Sequence, residues 1–174
     1  MSNKIYPIGI QNFEKLRLGG YFYIDKTALI YKMVKTGSYY FLSRPRRFGK
    51  SLLISTLEAY FQGKKELFEG LAMEKLEKEW RRHPILHMDL NIGKYDTPDS
   101  LDRILNKALT DWEAIYGTGA AETTLALRFA GIIKRAYEQT GERVVILVDE
   151  YDKPMLQAIN NAVSYTHLTL PTIL

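Results

Sequence analysis

Residues 39–53 of this 174-residue chain carry its most informative sequence pattern. They run Tyr39-Tyr40-Phe41-Leu42-Ser43-Arg44-Pro45-Arg46-Arg47-Phe48-Gly49-Lys50-Ser51-Leu52-Leu53. The aromatic and apolar start predicts a buried strand, a short basic loop follows, and the glycine opens a segment with helical periodicity. In this order of elements, N–H groups of the loop and of the first helical turn point at an anion, and the helix dipole adds positive charge. The stretch therefore predicts a nucleoside triphosphate site.

Three residues of this stretch have roles that follow from their chemistry. Lys50 is expected to reach phosphate oxygens, Ser51 is placed to ligate Mg²⁺, and Gly49 lets the backbone approach the phosphates. The spelling departs from the full P-loop pattern because Arg44 stands where the first Gly is expected. Each role has a plainer alternative, namely a solvated lysine, an N-capping serine and an ordinary turn glycine.

A second stretch about a hundred residues later supports this interpretation. It runs Val144-Val145-Ile146-Leu147-Val148-Asp149-Glu150. Five apolar residues in a row favour a parallel strand buried on both faces, and ligands of open α/β sheets bind at the carboxyl ends of such strands. We therefore expect Asp149 to hold Mg²⁺ through water and Glu150 to orient and deprotonate the attacking water. The alternative is that the acidic residues only cap the next helix.

Composition sets broad limits on the class of protein. Hydrophobic residues make up 46% of the chain and charged residues 25%, which is typical of one globular domain. The absence of cysteine excludes disulfides, thiolate zinc sites and a cysteine nucleophile. No apolar run approaches the roughly 18 residues of a membrane span, so we expect a cytoplasmic protein. The net charge of +4 mildly favours anionic partners.

The rest of the chain alternates predicted strands and helices. Strands are predicted at 21–24, 39–42, 85–90 and 144–148, and helices at 26–35, 50–61, 64–82 with a break near Gly70, about 98–116, about 122–140 and 155–160. Asp25 is expected to cap the first of these helices, with ligand contact by residues 25–27 as the alternative. The alternation predicts an α/β fold with a parallel sheet flanked by helices.

Three motifs carry a family resemblance. They are Tyr21-Phe22-Tyr23-Ile24-Asp25-Lys26-Thr27, Ser43-Arg44-Pro45-Arg46-Arg47-Phe48-Gly49-Lys50-Ser51 and Leu147-Val148-Asp149-Glu150-Tyr151-Asp152-Lys153-Pro154. Together they resemble the AAA-ATPase-like family of bacterial P-loop proteins over about residues 5–161, and in that family Arg takes the place of the first Gly. The resemblance implies a three-layer P-loop sandwich, here truncated on its C-terminal side, with ATP and Mg²⁺ as cofactors.

The resemblance also implies site residues. The cofactor-binding set is Arg44, Pro45, Arg46, Arg47, Phe48, Gly49, Lys50, Ser51 and Leu52. The catalytic set is Lys50 and Glu150, and the metal ligands are Ser51 and Asp149.

The domain organisation and the partners follow from the same resemblance. Residues 1–161 are expected to form an incomplete AAA-ATPase-like domain. Residues 162–174 resemble translated adapter read-through and are expected to be a non-native or disordered tail. Family members often carry a nuclease-like domain of the PD-(D/E)XK type after the ATPase part, and none of it is seen in this sequence. Candidate partners are ATP, nucleic acid reached through that further domain, and other copies of the chain; a membrane is not expected.

Alternative functions remain open at this point. The leading hypothesis is an ATP-binding domain whose intact parent hydrolyses ATP to drive a conformational switch. The rival is a non-catalytic nucleic-acid-binding module that uses Arg44, Arg46 and Arg47 against backbone phosphates. A third alternative is a fragment that neither folds fully nor turns over ATP, because the further strands and activating arginine of such ATPases do not follow Glu150. ATP binding is therefore expected of this chain ahead of hydrolysis.

Overall fold

The computed structural model describes residues 5–43 and 48–160. Within these ranges the α-helices are α1 (Phe13–Leu18), α2 (Thr27–Thr36), α3 (Lys50–Phe61), α4 (Ala72–Leu76), α5 (Ser100–Tyr116), α6 (Leu125–Thr140) and α7 (Lys153–Asn160). A 3₁₀ turn covers Lys65–Phe68, and the two strands are β1 (Ile85–Asp89) and β2 (Val145–Asp149). The described chain is therefore mixed α/β, as the sequence predicts. No helix in these ranges has the length and apolar character needed to cross a bilayer.

The described residues divide into two compact units. The first contains the residues up to Ile85 together with Glu142–Leu147, and the second contains Leu86–Gly141 with the residues from Val148 onward. Helices α1 to α4 belong to the first unit, and α5 to α7 belong to the second. The predicted phosphate-loop helix and the predicted acidic strand end are thus found in different units.

Strands β1 and β2 pair in a two-stranded parallel sheet. The Val145 N–H donates to the Pro84 carbonyl oxygen at 2.8 Å, and the Leu90 N–H donates to the Asp149 carbonyl oxygen at 3.1 Å. Both strands were predicted within one residue of their ends, because the apolar runs lie directly after Pro84 and directly before the acidic pair. Leu86 and Leu147 are the buried residues of the two strands.

The predicted strand at residues 39–42 is not a strand in the structure. Its aromatic side chains are mostly exposed, by 70% for Tyr39 and 73% for Phe41. The Tyr40 hydroxyl instead donates to the Met33 carbonyl oxygen at the end of α2, and its ring lies over Gly37. A Cβ at Gly37 would come within 2.6 Å of the Tyr40 hydroxyl oxygen. Tyr40 thus provides a hydrogen-bond donor for a carbonyl group at the end of α2. Hydrophobic periodicity cannot predict a local contact of this kind.

The predicted strand at residues 21–24 is also absent as a strand. Among the described residues, one backbone hydrogen bond joins this segment to the residues before α1, from the Phe22 N–H to the Ile5 carbonyl oxygen at 2.9 Å. Ile24 is 67% exposed, so the segment is not covered on both faces as an inner strand would be. A single backbone bond is too little for a ladder.

At the start of α2, Lys26 takes the N-cap position predicted for Asp25, and the Asp25 carboxylate accepts hydrogen bonds from the first turn beyond it. Its Oδ1 accepts from the Thr27 N–H at 2.8 Å and from the Thr27 hydroxyl at 2.6 Å. Its Oδ2 accepts from the Ala72 N–H at 2.7 Å, and Thr27 Oγ1 accepts from the Met73 N–H at 3.0 Å. One carboxylate and one hydroxyl thus serve the first turns of both α2 and α4, which satisfies N–H groups that a helix cannot pair internally.

The core of the first unit is aromatic. Phe13 packs on Phe68 with ring centroids 5.0 Å apart, and Phe68 packs on Trp80 at 5.1 Å. Helix α3 contributes Leu57 and Tyr60 to the buried set, on the face that its apolar periodicity predicts. Rings in such tilted and edge contacts contribute beyond the apolar area they bury.

In the second unit, α5 and α6 pack on each other. The buried apolar residues of the pair are Leu109, Trp112, Ile132 and Ala136. Ion pairs join Arg128 to Glu113 and Arg135 to Glu122, and all four side chains are less than one fifth exposed. The buried stripe covers one face of each helix only, and Ile115 and Tyr137 are exposed.

A buried carboxylate, Glu77, gathers four hydrogen bonds in the first unit. It accepts from the Tyr60 hydroxyl, from Lys35 Nζ at 2.8 Å, and from the N–H groups of Lys78 and Glu79 at 2.8 and 3.0 Å. Burial alone would raise the pKa of Glu77, but these donors outweigh it and lower the pKa to about 2. Burial and the same carboxylate raise the pKa of Tyr60.

We predict that Glu77→Gln lowers the free energy of unfolding by about 1.5–3 kcal/mol at pH 7, because a charged acceptor of several hydrogen bonds is lost. The pKa of Glu77 is lower in the folded chain than its ordinary value of 4.5, so its contribution is complete above that pH. The contribution disappears as the pH falls towards about 2. Urea unfolding of wild type and variant from pH 7 to pH 3 should show the difference narrowing below pH 4.5.

Glu79→Gln is the control, because the Glu79 side chain is 62% exposed and its removal should cost within about 0.5 kcal/mol. A Glu77→Gln difference that stays constant across the pH range would contradict the prediction.

Candidate functional site

The predicted phosphate loop ends at Gly49, which immediately precedes α3. Gly49 has φ 77° and ψ 24°, in the left-handed region that a residue without Cβ adopts at little cost. Its carbonyl oxygen accepts from the Leu53 N–H at 3.0 Å, so α3 begins directly after this turn. Lys50 and Ser51 are the first two helical residues, and both are half-buried.

Among the described residues, the N-terminus of α3 has no side-chain cap, as is also true of α5, whereas Asn12 caps α1 and Thr124 caps α6. Its first turn also contains no acidic residue, a feature that it shares with α2 and α6. The first N–H groups of a helix have no acceptor within the helix, and the dipole places partial positive charge beside them. The N–H groups of Lys50, Ser51 and Leu52 therefore suit an anion.

The other predicted loop residues are placed only in part. Phe48 is 63% exposed, and Leu52 is half-buried. The Leu52 carbonyl oxygen accepts from the Thr56 hydroxyl at 2.7 Å and from the Ser55 hydroxyl at 3.0 Å. Arg44, Pro45, Arg46 and Arg47 lie outside the described residues.

At the end of β2, the backbone changes direction at Glu150. Glu150 has φ 54°, one of two non-glycine residues with positive φ in the described chain. Asp149 Oδ1 accepts from the Glu150 N–H at 2.9 Å, and the Glu150 carbonyl oxygen accepts from the Lys153 N–H at 3.0 Å. Both acidic side chains are half-buried. A carboxylate has about four acceptor positions, so Asp149 keeps capacity for a metal ion or water.

The sequence did not point to the loop that follows β1 in the same unit. Lys153 Nζ donates to Asn91 Oδ1 at 3.0 Å and also to the Asn91 carbonyl oxygen. Gln157 Oε1 accepts from the Tyr95 N–H at 3.0 Å. The partners are 62 positions apart in sequence, so no local pattern could have linked them.

Electrostatics favours the capping interpretation of the motif at residues 21–27. Burial would raise the pKa of Asp25, but hydrogen bonds from Thr27 and from the Ala72 N–H lower it below its ordinary value. Both carboxylate oxygens already serve helix starts, which leaves this motif a structural role.

Within the described ranges, no group of three or more His, Asp or Glu residues could hold a metal ion.

Comparison with known proteins gives the family. The family model described as Predicted AAA-ATPase matches residues 7–172, and the chain belongs to this family. An uncharacterized protein in the vnfD 5′ region of Azotobacter chroococcum mcd 1 is 43% identical over 157 residues. The match covers 90% of this chain and 30% of that relative, so the chain spans less than a third of the relative's length. No solved structure matches.

The turn at Glu150 yields a prediction about backbone strain. Asn adopts left-handed conformations readily, whereas a β-branched residue is an outlier there. We expect Glu150→Asn to change the free energy of unfolding by less than about 0.5 kcal/mol and Glu150→Val to lower it by about 1–2 kcal/mol. Denaturant unfolding of the two variants provides the measurement. Both variants lose the carboxylate, so equal stabilities would show that backbone conformation is not the cause.

Proposed function

We propose that this chain is an ATP-binding P-loop domain, and that the full-length proteins of its family hydrolyse ATP. One observation carries the proposal: α3 begins at a left-handed glycine with Lys50 and Ser51 in an uncapped first turn, in a chain of the Predicted AAA-ATPase family. A helix start with these properties suits phosphate better than a hydrophobic or cationic ligand.

The phosphate loop would act by electrostatics and position. The N–H groups of the first turn of α3 would donate to phosphate oxygens, and the Lys50 ammonium would neutralise charge on the β- and γ-phosphates. The proposal extends to the loop residues 44–47, whose arginines bring further positive charge, and to the three-layer P-loop architecture implied by the family resemblance.

The metal and water roles are proposed for three other side chains. Ser51 and Asp149 would serve Mg²⁺, the serine directly and the aspartate through water. Bound Mg²⁺ supplies charge neutralisation at the transferred phosphoryl group. Glu150 would orient the attacking water and accept its proton. A carboxylate held by a fixed backbone turn is suited to that task, because a general base must lie within hydrogen-bond reach of the proton it takes.

The chain spans less than a third of its relative's length, so the activity proposed for it is narrower than that proposed for the longer proteins. Residues 1–161 are proposed as the AAA-ATPase-like part, and residues 161–174 lie outside the described structure. The task coupled to hydrolysis, any nucleic acid bound through a further domain, and assembly with other copies belong to the longer proteins of the family. For this chain, ATP binding is the activity proposed.

The first prediction is nucleotide-dependent stabilisation. At a hundredfold excess of ATP over its Kd, binding adds about 2.7 kcal/mol to the free energy of unfolding. For a chain of this size, that corresponds to a rise in Tm of roughly 5 to 11 °C. We expect Lys50→Ala to remove most of this rise, because the phosphates lose their charge partner. Differential scanning fluorimetry with ATP and Mg²⁺ measures it.

Lys65→Ala is the matched control, because Lys65 is an exposed lysine at the start of a short helical turn in the same unit. It should keep the full nucleotide response. A wild-type Tm that does not move with Mg²⁺ and ATP would overturn the proposal.

A second prediction separates binding from turnover. Glu150→Gln keeps the shape of the side chain but removes the base, so it should retain the rise in Tm with ATP while lowering any phosphate release by at least about 100-fold. Loss of ATP binding in this variant would instead assign Glu150 to the binding site.

A control measurement on the rival function uses single-stranded DNA: affinity that falls steeply with salt and survives both Lys50→Ala and Glu150→Gln would favour a nucleic-acid-binding module.

A further inference from the structure

Lys153 occupies a position that electrostatics disfavours. It is the first residue of α7, where the positive end of the helix dipole repels a cation. Pro154 follows it and is fully buried. The proline ring fixes the backbone φ angle in the first turn of the helix. The lysine therefore needs a compensating contact, and it has one.

That contact is with the loop after β1. Lys153 Nζ donates two hydrogen bonds to one residue, Asn91, through its side-chain oxygen and its backbone carbonyl oxygen. The loop is itself anchored at its base, because the Asn91 N–H donates to Asp89 Oδ1 at 2.8 Å. The ammonium thus binds two acceptors on a segment that is fixed to the end of β1.

A second tie lies one helical turn further along α7. Gln157 Oε1 accepts from the Tyr95 N–H, and residues 153 and 157 lie on the same face of a helix. The buried Tyr95 closes the loop on itself by donating from its hydroxyl to the Leu90 carbonyl oxygen at 2.7 Å. Two points on α7 are therefore fastened to two points on the loop of residues 90–95.

The same lysine also closes the turn that contains Glu150. Its N–H donates to the Glu150 carbonyl oxygen, while the Glu150 N–H donates to Asp149 Oδ1. Glu150 is held in a left-handed conformation that most residues avoid, so the surrounding contacts have to impose it. A shift of Lys153 would move the Glu150 carbonyl directly.

We infer that Lys153 is a positioning residue for the Glu150 carboxylate, and that it acts by fastening the turn of residues 150–153 to Asn91. The inference rests on the proposed role of Glu150 as the base. The loop of residues 90–95 then fixes the orientation of the Glu150 carboxylate. A change in this loop should therefore lower the rate of turnover more than it weakens nucleotide binding.

The test uses the whole chain with Lys153→Met, which keeps the apolar stem and removes the ammonium. Amide hydrogen exchange at Glu150 and Lys153 should quicken by roughly 10- to 100-fold, because two charge-assisted bonds that hold the turn are lost. The Ile132 amide in α6 should keep its wild-type rate. Asn91→Ala leaves the backbone acceptor in place and should show a smaller effect in the same direction.

The kinetic arm measures kcat and the Kd of ATP separately. Misplacement of a base costs on the order of 10- to 100-fold in kcat, while the Kd should stay within about twofold of wild type. Lys153→Arg should recover part of the loss, because it restores a cation that can bind both acceptors. Lys134→Met, at an exposed lysine of α6, is the control and should change neither quantity.

Unchanged exchange at Glu150 in Lys153→Met, or kcat and affinity that fall together, would overturn the inference. The exchange measurement decides it even if turnover by this chain is too slow to follow. A wild-type chain that shows no ATP binding would refute the proposed function, whereas the tie between Lys153 and the turn would still be tested by exchange.

Discussion

The backbone pairing of β1 and β2 is the constraint on which the acidic turn depends. It joins segments about 60 residues apart, from the Val145 N–H on Pro84 to the Leu90 N–H on the Asp149 carbonyl oxygen. Closing so long a loop costs chain entropy, and the apolar side chains Leu86 and Leu147 offset that cost by burial. The last bond of the ladder fixes Asp149 beside the loop after β1. That loop contains Asn91 and Tyr95, which bond to Lys153 and Gln157 of α7.

Much of this fold could be predicted from local signals. Pro84 followed by an apolar run gave β1, and five apolar residues before two acids gave β2. Glycines with positive φ lie where helices were expected to end, at Gly63, Gly70 and Gly141. The role of Asp25 was also predictable, because a short acidic side chain just before a helical pattern is a capping signal. Each of these features depends on residues within a few positions of one another.

The features that were predicted wrongly or not at all depend on residues far apart in the sequence. The aromatic run at residues 39–42 has the composition of an inner strand, but a strand forms only where another strand offers its backbone, and here Tyr40 bonds to α2 instead. The Glu77 carboxylate draws its donors from α2 and α3 as well as from its own loop. The tie between Lys153 and Asn91 spans 62 positions. Composition shows that such groups are polar, but it cannot show which of them meet.

The two candidate site elements also differ in how they are held, and the difference fits their proposed tasks. The start of α3 relies on a glycine that adopts its conformation without strain, and no side chain among the described residues caps its N–H groups. The end of β2 imposes a costly conformation on Glu150 and holds it by bonds on both sides of the residue. Binding an anion requires exposed donors, whereas proton transfer requires a base fixed in direction. A carboxylate in a turn that is closed by Lys153 satisfies the second requirement, because the backbone cannot relax without breaking the bond between the Lys153 N–H and the Glu150 carbonyl oxygen.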